Sequence, residues 1–180
     1  MAFLGLFGRK RYERAGFELY TSAVEAARDP YIFEVLAVPD TLDGRFDVIG
    51  LYVFLLVHRL HAESKIGKDL AQAVFDAMFS DMDINLREIG VSDMRIGKRV
   101  RDMWEAFNGR STVYAAALDS GDAALLTDAV ARNVWRGKAP EGAAGAMAAS
   151  MLEQAANLAA QPIAAFVKGQ VSFRPARIAA

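Results

Sequence analysis

The chain has 180 residues, of which 53% are hydrophobic and 24% charged, so it carries enough apolar material for one buried core, and extended disorder is excluded. The 21 basic residues against 22 acidic ones give a net charge of −1, and we expect no sequence-specific nucleic-acid partner. With no cysteine, the chain cannot form disulfides, thiolate metal sites or cysteine nucleophiles.

The N-terminal segment, residues 1–11, places a short apolar run before a basic cluster. A secretory signal has the opposite order and a longer apolar stretch, so we expect no export signal. An apolar anchor beside cations is typical of contact with an anionic membrane surface. The candidates for membrane contact are Phe3, Leu4, Leu6, Phe7, Arg9, Lys10 and Arg11. The alternatives are that this segment packs over the domain or is disordered.

Apolar residues at helical spacing predict the first three helices. The first runs from Arg11 to Arg28 and ends at Asp29-Pro30. The second runs from Phe46 to Leu60 and is apolar on nearly every side, which predicts that it is the central helix of the fold. The third runs from Ile66 to Phe79.

The polar phrase from Asp81 to Val91 predicts a short helix that Gly90 closes in a left-handed conformation. Ser92 then caps a fourth long helix, which we expect to end at Asn108-Gly109. Further helices are predicted from Thr112 to Leu118, from Asp122 to Trp135 and from Ala146 to Ala160, with a linker from Gly137 to Gly145 and a kink or restart at Pro162.

These elements predict an all-α, single-domain irregular bundle of about seven to eight helices around the central apolar helix. The bundle is expected to occupy residues 12–168. Residues 169–180 are expected to form a flexible C-terminal tail.

Two patterns of side chains resemble metal-binding motifs. Asp81, Asp83 and Asn85 match the first ligands of a calcium loop, but Leu86 replaces its turn glycine and Ser92 its bidentate glutamate. His58 and His61 share a helix face, and a metal-dependent enzyme that uses them stays a minor alternative, although the metalloprotease spacing is absent. No nucleophile elbow or phosphate-binding loop occurs, so we predict no catalytic residue, no metal and no cofactor.

A basic face on the fourth long helix consists of Arg95, Lys98, Arg99 and Arg101. Asp102 and Glu105 share this face and dilute its field. We interpret it mainly as a solvated face, with a patch for ribosomal RNA or a membrane as the alternative.

An ordered set of short phrases resembles the ubiquinol–cytochrome c chaperone family over about residues 12 to 135. The matching residues are Val38-Pro39-Asp40-Thr41, Gly44-Arg45-Phe46, Arg59-Leu60, Phe75-Asp76, Met78-Phe79, Asp81-Met82-Asp83, Leu86-Arg87-Glu88, Gly90-Val91, Asp93, Gly97-Lys98-Arg99, Phe107, Gly109-Arg110 and Tyr114. The chain departs from the family pattern at Tyr52, where a histidine is expected.

The resemblance implies a non-enzymatic assembly chaperone that binds newly made cytochrome b and supports assembly of respiratory complex III. It also implies a possible second assembly subunit and possible contact with the ribosome. We expect a bacterial cytoplasmic protein at the inner membrane, and the alternative function is a membrane-surface helical adaptor. The candidate client-binding or family-motif residues are Asp40, Thr41, Gly44, Arg45, Asp81, Asp83, Arg87, Glu88, Gly90, Asp93, Lys98, Arg99 and Arg110.

A soluble helical domain can receive an apolar client helix in a groove. Methionines would let such a groove adapt, and Met78, Met82, Met94 and Met103 cluster around the Asp81 phrase. The alternative is that they fill the core. Likewise, the charged candidate residues either contact the client at a groove rim or form internal ion pairs.

Overall fold

The computed structural model describes residues 3–176 of the chain, and the side chains from Tyr12 onward. Eight helices and no strand occur within these residues, which confirms the predicted all-α bundle. The helices are α1 (Phe3–Ala27), α2 (Pro30–Glu34), α3 (Leu42–His61), α4 (Lys65–Glu88), α5 (Asp93–Ser120), α6 (Ala123–Val134), α7 (Ala143–Ala159) and α8 (Ile163–Val167).

Helix α3 forms the centre of the bundle, as its all-round apolar sequence predicts. Every residue from Leu51 to Val57 is buried, and so is Leu60. The helix packs against α1, α4, α5, α6 and α7. A helix with no solvated face can only be accommodated when neighbours surround it, so the other helices are arranged around α3.

Helices α1 and α4 make the most extensive contact in the bundle. Gly16 allows their close approach, because a Cβ at this position would lie only 2.6 Å from the Cβ of Ala73. Further along both helices, the Tyr20 hydroxyl reaches Asp81 at 2.7 Å. This packing positions the end of α4 beside α1.

Two predicted helix ends are wrong. The Asp81 phrase does not form a separate short helix, because α4 continues through it to Glu88. Helix α5 likewise runs through Asn108-Gly109 to Ser120. Phe107 and Tyr114 are buried on either side of the expected break, so packing keeps the helix continuous where the local sequence favours an end.

Other predicted boundaries are confirmed. Gly90 follows α4 with a φ of 83°, the left-handed conformation expected there. Pro162 restarts the chain as the N-cap of α8.

After α8 the chain runs in extended form along α7. The Gln154 side chain donates to the Arg174 carbonyl at 2.6 Å and accepts from the Arg174 amide at 3.0 Å. Gln161 makes the same pair of hydrogen bonds with Ser172. The Phe173 ring packs edge-on against buried Tyr52, with centroids 5.4 Å apart. We call residues 171–176 the strap; residues 177–180 lie outside the described part of the chain.

Candidate functional site

Two segments of the family pattern, residues 38–46 and residues 81–91, border the same groove although they lie about forty positions apart in the sequence. We call them the first and the second family phrase. The volume of the groove is about 550 Å³. The groove lies between the end of α1, α2, the start of α3, the end of α4 and the first half of α5. It is lined by Tyr20, Val24, Ala27, Arg28, Pro30, Phe33, Glu34, Asp40, Leu42, Asp43, Arg45, Phe46, Ile49, Asp81, Met82, Asn85, Leu86, Ile89, Arg99 and Met103.

The first phrase shapes the start of α3. The Thr41 side chain caps the helix by accepting a hydrogen bond from the Gly44 amide at 3.1 Å. Gly44 lies directly against the Pro39 carbonyl, and a Cβ at this position would overlap the carbonyl oxygen. Asp40 accepts two hydrogen bonds from the Arg45 guanidinium, at 2.5 and 3.1 Å, and this contact lowers the pKa of Asp40. The phrase therefore folds back on itself and presents Leu42 and Phe46 to the groove.

The second phrase is the last part of α4. Met82 and Leu86 are buried at the base of the groove, whereas Ile89 is 58% exposed at its edge. Asp81 accepts a hydrogen bond from Tyr20, which ties this helix to α1. The floor is therefore apolar, with charged groups around it.

The structure divides the candidate client-binding residues into two groups. Four of them line the groove: Asp40, Arg45, Asp81 and Arg99. Arg99 also donates to Asp43 at 3.1 Å and so joins α5 to the start of α3. Thr41, Gly44 and Gly90 shape the backbone of the two phrases without lining the groove.

The remaining candidates lie outside the groove. Arg87 bridges Asp83 at 2.7 Å and Asp93 at 2.5 Å, which braces the corner between α4 and α5. Lys98 pairs with Asp102 at 3.3 Å. Glu88 is exposed to solvent. Most of these charges form internal ion pairs, which was one of the two roles expected for them.

Arg110 also takes the internal role, because it belongs to an ion cluster around the buried Asp47. It donates to Asp47, whose side chain is 2% exposed, and Arg136 donates to the other oxygen of Asp47 at 2.7 Å. Burial raises the pKa of Asp47, and the two guanidinium groups oppose that shift. The cluster links α3, α5 and the end of α6.

Several groove residues were missed at the level of sequence. Helix α1 contributes Tyr20 and Val24, Arg28 follows directly after it, and α2 contributes Phe33 and Glu34. The repeat of Phe17, Tyr20 and Val24 at spacings of three and four positions is a second apolar face on α1, and it could have indicated that something packs against this side of the helix.

The methionines have different surroundings. Met82 and Met103 line the groove, Met78 is fully buried in the core, and Met94 is exposed. The expectation of an adaptable methionine surface therefore applies to two of the four. The candidates for membrane contact, by contrast, fall among residues 3–11, whose side chains lie outside the described part of the structure.

The two histidines make separate contacts. His58 Nε2 lies 3.0 Å from Asp119 Oδ1. Burial lowers the pKa of His61, and the nearby charges of Lys68 and His58 lower it further. Within the described residues, no group of three or more His, Cys, Asp or Glu side chains is placed to hold a metal ion. Asp81, Asp83 and Asn85 are all helical and do not form a calcium loop.

The fold and the groove define a class of protein: an all-α bundle that carries an open apolar cleft with charged edges. Residues 34–173 match the sequence model of the family described as Ubiquinol-cytochrome C chaperone. The chain belongs to this family. The resemblance of the short phrases is thereby confirmed.

Known proteins similar to the chain carry related descriptions. The Ubiquinol-cytochrome-c reductase complex assembly factor 1 of Xenopus laevis is 26% identical over 139 residues, which cover 74% of this chain and 66% of that protein. The mouse factor of that name is 27% identical over 139 residues, or 74% of this chain and 45% of the mouse protein. The crystal structure of the Cbp3 homolog from Brucella abortus is 33% identical, with a TM-score of 0.83 and coverage of 97% of each chain. The chain thus spans less than half of the mouse protein.

Helix length and apolarity also bear on membrane insertion. Among the described residues, no helix combines the length and hydrophobicity that a membrane crossing requires.

Proposed function

We propose that the protein is a non-enzymatic chaperone for assembly of ubiquinol–cytochrome c reductase, and that its client is newly made cytochrome b. Membership of the chaperone family and the names of the relatives support the assembly role. The convergence of both family phrases on one apolar groove is the observation that carries the binding role. We propose this groove as the client site.

The chemistry of the groove suits a helix from a membrane protein. Such a helix exposes apolar side chains, which need shielding from water before the client is assembled. A groove floored by Met82, Leu86 and Phe46 can take side chains spaced at i, i+3 and i+4. Met103 adds a flexible side chain that can adjust to different shapes. This role needs shape and apolar contact rather than a cofactor.

Two exposed isoleucines, one within α4 and one at its C-cap, allow a matched test. Ile89 is 58% exposed and lines the groove, whereas Ile84 is 52% exposed and lies outside it. In cells that depend on this chaperone, Ile89→Gln combined with Leu42→Gln should lower both the amount of cytochrome b, measured by absorption spectroscopy, and the rate of ubiquinol oxidation. Ile84→Gln should leave both near normal.

Photo-crosslinking gives a direct measurement of the client. A probe at position 89 should capture cytochrome b, and a probe at position 84 should not. Normal cytochrome b in the groove variant, or equal capture from both positions, would rule out this client site.

We also propose that the protein works in the bacterial cytoplasm at the inner membrane, with possible contacts to a second assembly subunit or the ribosome. The apolar and basic residues of the first eleven positions support a membrane contact, and a membrane-surface adaptor is the alternative function on the same basis. Flotation with anionic liposomes tests it. A chain that lacks residues 1–11 should float less than the intact chain, and equal flotation would contradict the membrane contact.

A further inference from the structure

Asp81 is the one partly buried carboxylate of the groove that pairs with no cation among the side chains that the structure describes. Two other carboxylates at the edge are each paired with an arginine, in the pairs Asp40–Arg45 and Asp43–Arg99. Asp81 accepts a hydrogen bond from Tyr20 at 2.7 Å. Among the side chains that the structure describes, no Lys, Arg or His forms an ion pair with Asp81.

The hydrogen bond from Tyr20 does not neutralise this charge. Burial, followed by the contact with Asp81, raises the pKa of the Tyr20 hydroxyl, which therefore keeps its proton and acts as a donor. Two further charged residues of the lining, Arg28 and Glu34, are exposed to solvent. The Arg28 charge acts on Tyr20, but among the described side chains Arg28 forms no ion pair with Asp81. Half-buried Asp81, beside the apolar floor, thus has a hydrogen-bond donor but no ion-pair partner among the described side chains.

From this arrangement we infer that Asp81 determines which client helix the groove accepts. Asp81 receives an arginine or lysine that projects from the otherwise apolar face of the client. The inference rests on the proposed function, and it specifies the chemistry of the partner: an apolar helix with one basic side chain on its buried face.

The physical reason is desolvation. A client that covers the groove removes water from Asp81, and a buried carboxylate without a partner is strongly unfavourable. A guanidinium in the client restores the lost interactions with a charge-assisted hydrogen bond, whereas an uncharged face leaves the carboxylate unpaired. The same residue that favours a basic client therefore disfavours a purely apolar one.

Synthetic helices test this selection. The probes are three amphipathic peptides with the same apolar face and an uncharged outer face, which differ only in a central arginine, citrulline or glutamate. Their affinity for the intact chain is measured by fluorescence anisotropy. Citrulline has nearly the shape of arginine without its charge, so we expect it to bind about tenfold more weakly, and glutamate to bind more weakly still.

Substitutions assign the effect to Asp81. Asp81→Asn keeps the shape and the acceptor for Tyr20, and it should make the arginine and citrulline peptides bind equally. Asp83→Asn, on the same helix but outside the groove, should preserve the difference. Circular dichroism confirms that both variants are folded.

The outcomes separate this inference from the proposed function. If all three peptides bind the intact chain equally, the groove binds helices but Asp81 does not select them, and the inference is wrong while the proposed function stands. If none binds, both are wrong. If Asp81→Asn retains the preference for arginine, another residue is responsible and the inference is again wrong.

Discussion

At the scale of single residues, the most consequential side chain outside the groove is Asp47. Its buried carboxylate joins three helical elements through Arg110 and Arg136. Removing one member of a buried charge cluster leaves the others without compensation, whereas an exposed ion pair contributes little. Arg110 matched the family pattern in the sequence, but its partner lies 63 positions away, so its structural role became visible only in the fold.

We predict that Asp47→Ala lowers the free energy of unfolding by about 3 kcal/mol. Asp40→Ala, which removes an exposed pair with Arg45, should lower it much less. Urea denaturation measures both. Similar losses in the two variants would show that burial does not strengthen the Asp47 cluster.

Ala37 carries a conformational strain that the sequence does not reveal. Its φ is 51°, in the left-handed region that favours glycine. The neighbouring contacts explain why the strain persists, because the Trp135 indole donates to the carbonyls of Leu36 and Ala37 at 3.2 and 3.1 Å. A buried tryptophan thus fixes the turn that leads into the first family phrase.

Replacing this alanine by glycine should therefore stabilise the protein, although the same replacement within a helix destabilises it. Ala37→Gly is expected to raise the free energy of unfolding by about 1 kcal/mol, because it relieves the left-handed strain. Ala156→Gly, the same change at an exposed position within α7, should lower it by about 1 kcal/mol. Thermal unfolding gives both values, and a destabilised Ala37→Gly variant would show that the strain is negligible.

At the scale of helices, composition and the spacing of apolar residues predicted which segments are helical more accurately than they predicted where each helix ends. The central helix was identifiable because apolar residues cover all its sides. The continuation of α4 through the Asp81 phrase was not identifiable, since it involves a contact with Tyr20 of another helix. Tertiary contacts of this kind outweigh the local preference of polar residues for a turn.

Glycines in helices give a prediction at this scale. Gly16 lies where α1 crosses α4, and a Cβ there would overlap Ala73, whereas a Cβ at Gly109 in α5 would meet nothing within 4 Å. Gly16→Ala should therefore destabilise the protein, although alanine favours helices. Gly109→Ala should stabilise it by about 1 kcal/mol.

Denaturant titration of the two glycine variants provides the comparison. If Gly16→Ala destabilises the protein and Gly109→Ala stabilises it, the close crossing of α1 and α4 is what requires glycine at position 16. Stabilisation of both variants would mean that the two helices can separate enough to admit a methyl group.

At the scale of the whole molecule, the candidate site depends on contacts that no short pattern encodes. The two phrases were recognisable as unusual polar segments between apolar helices, and four of the candidate residues do line the groove. Their convergence was not predictable, because it requires the close packing of α1 on α4 and the turn that Trp135 fixes. The walls supplied by α1 and α2 carry ordinary core-like residues, and nothing in their spacing distinguishes a groove from a buried interface.

The strap is another feature at this scale, since it joins residues 171–176 to the junction between α1 and α2. Ala176 donates its amide to Asp29 Oδ2 at 3.1 Å, and the other oxygen of Asp29 caps α2 by accepting from the Tyr31 amide. Gln154, which is 2% exposed, holds the strap in the middle. These contacts indicate that the strap is anchored at one end on α7 and at the other on the junction between α1 and α2.

We predict that Gln154→Ala releases the strap as a unit. The substitution removes both hydrogen bonds to Arg174 and should lower the free energy of unfolding by about 2 kcal/mol. Hydrogen exchange should then show faster exchange at the amides of Arg174 and Ala176, although Asp29 itself is unchanged. Asn157→Ala, which removes a single exposed contact with the Ser172 carbonyl, is the control and should leave both amides protected. If Ala176 keeps its protection in the Gln154 variant, its bond to Asp29 holds independently and the strap consists of two separate anchors.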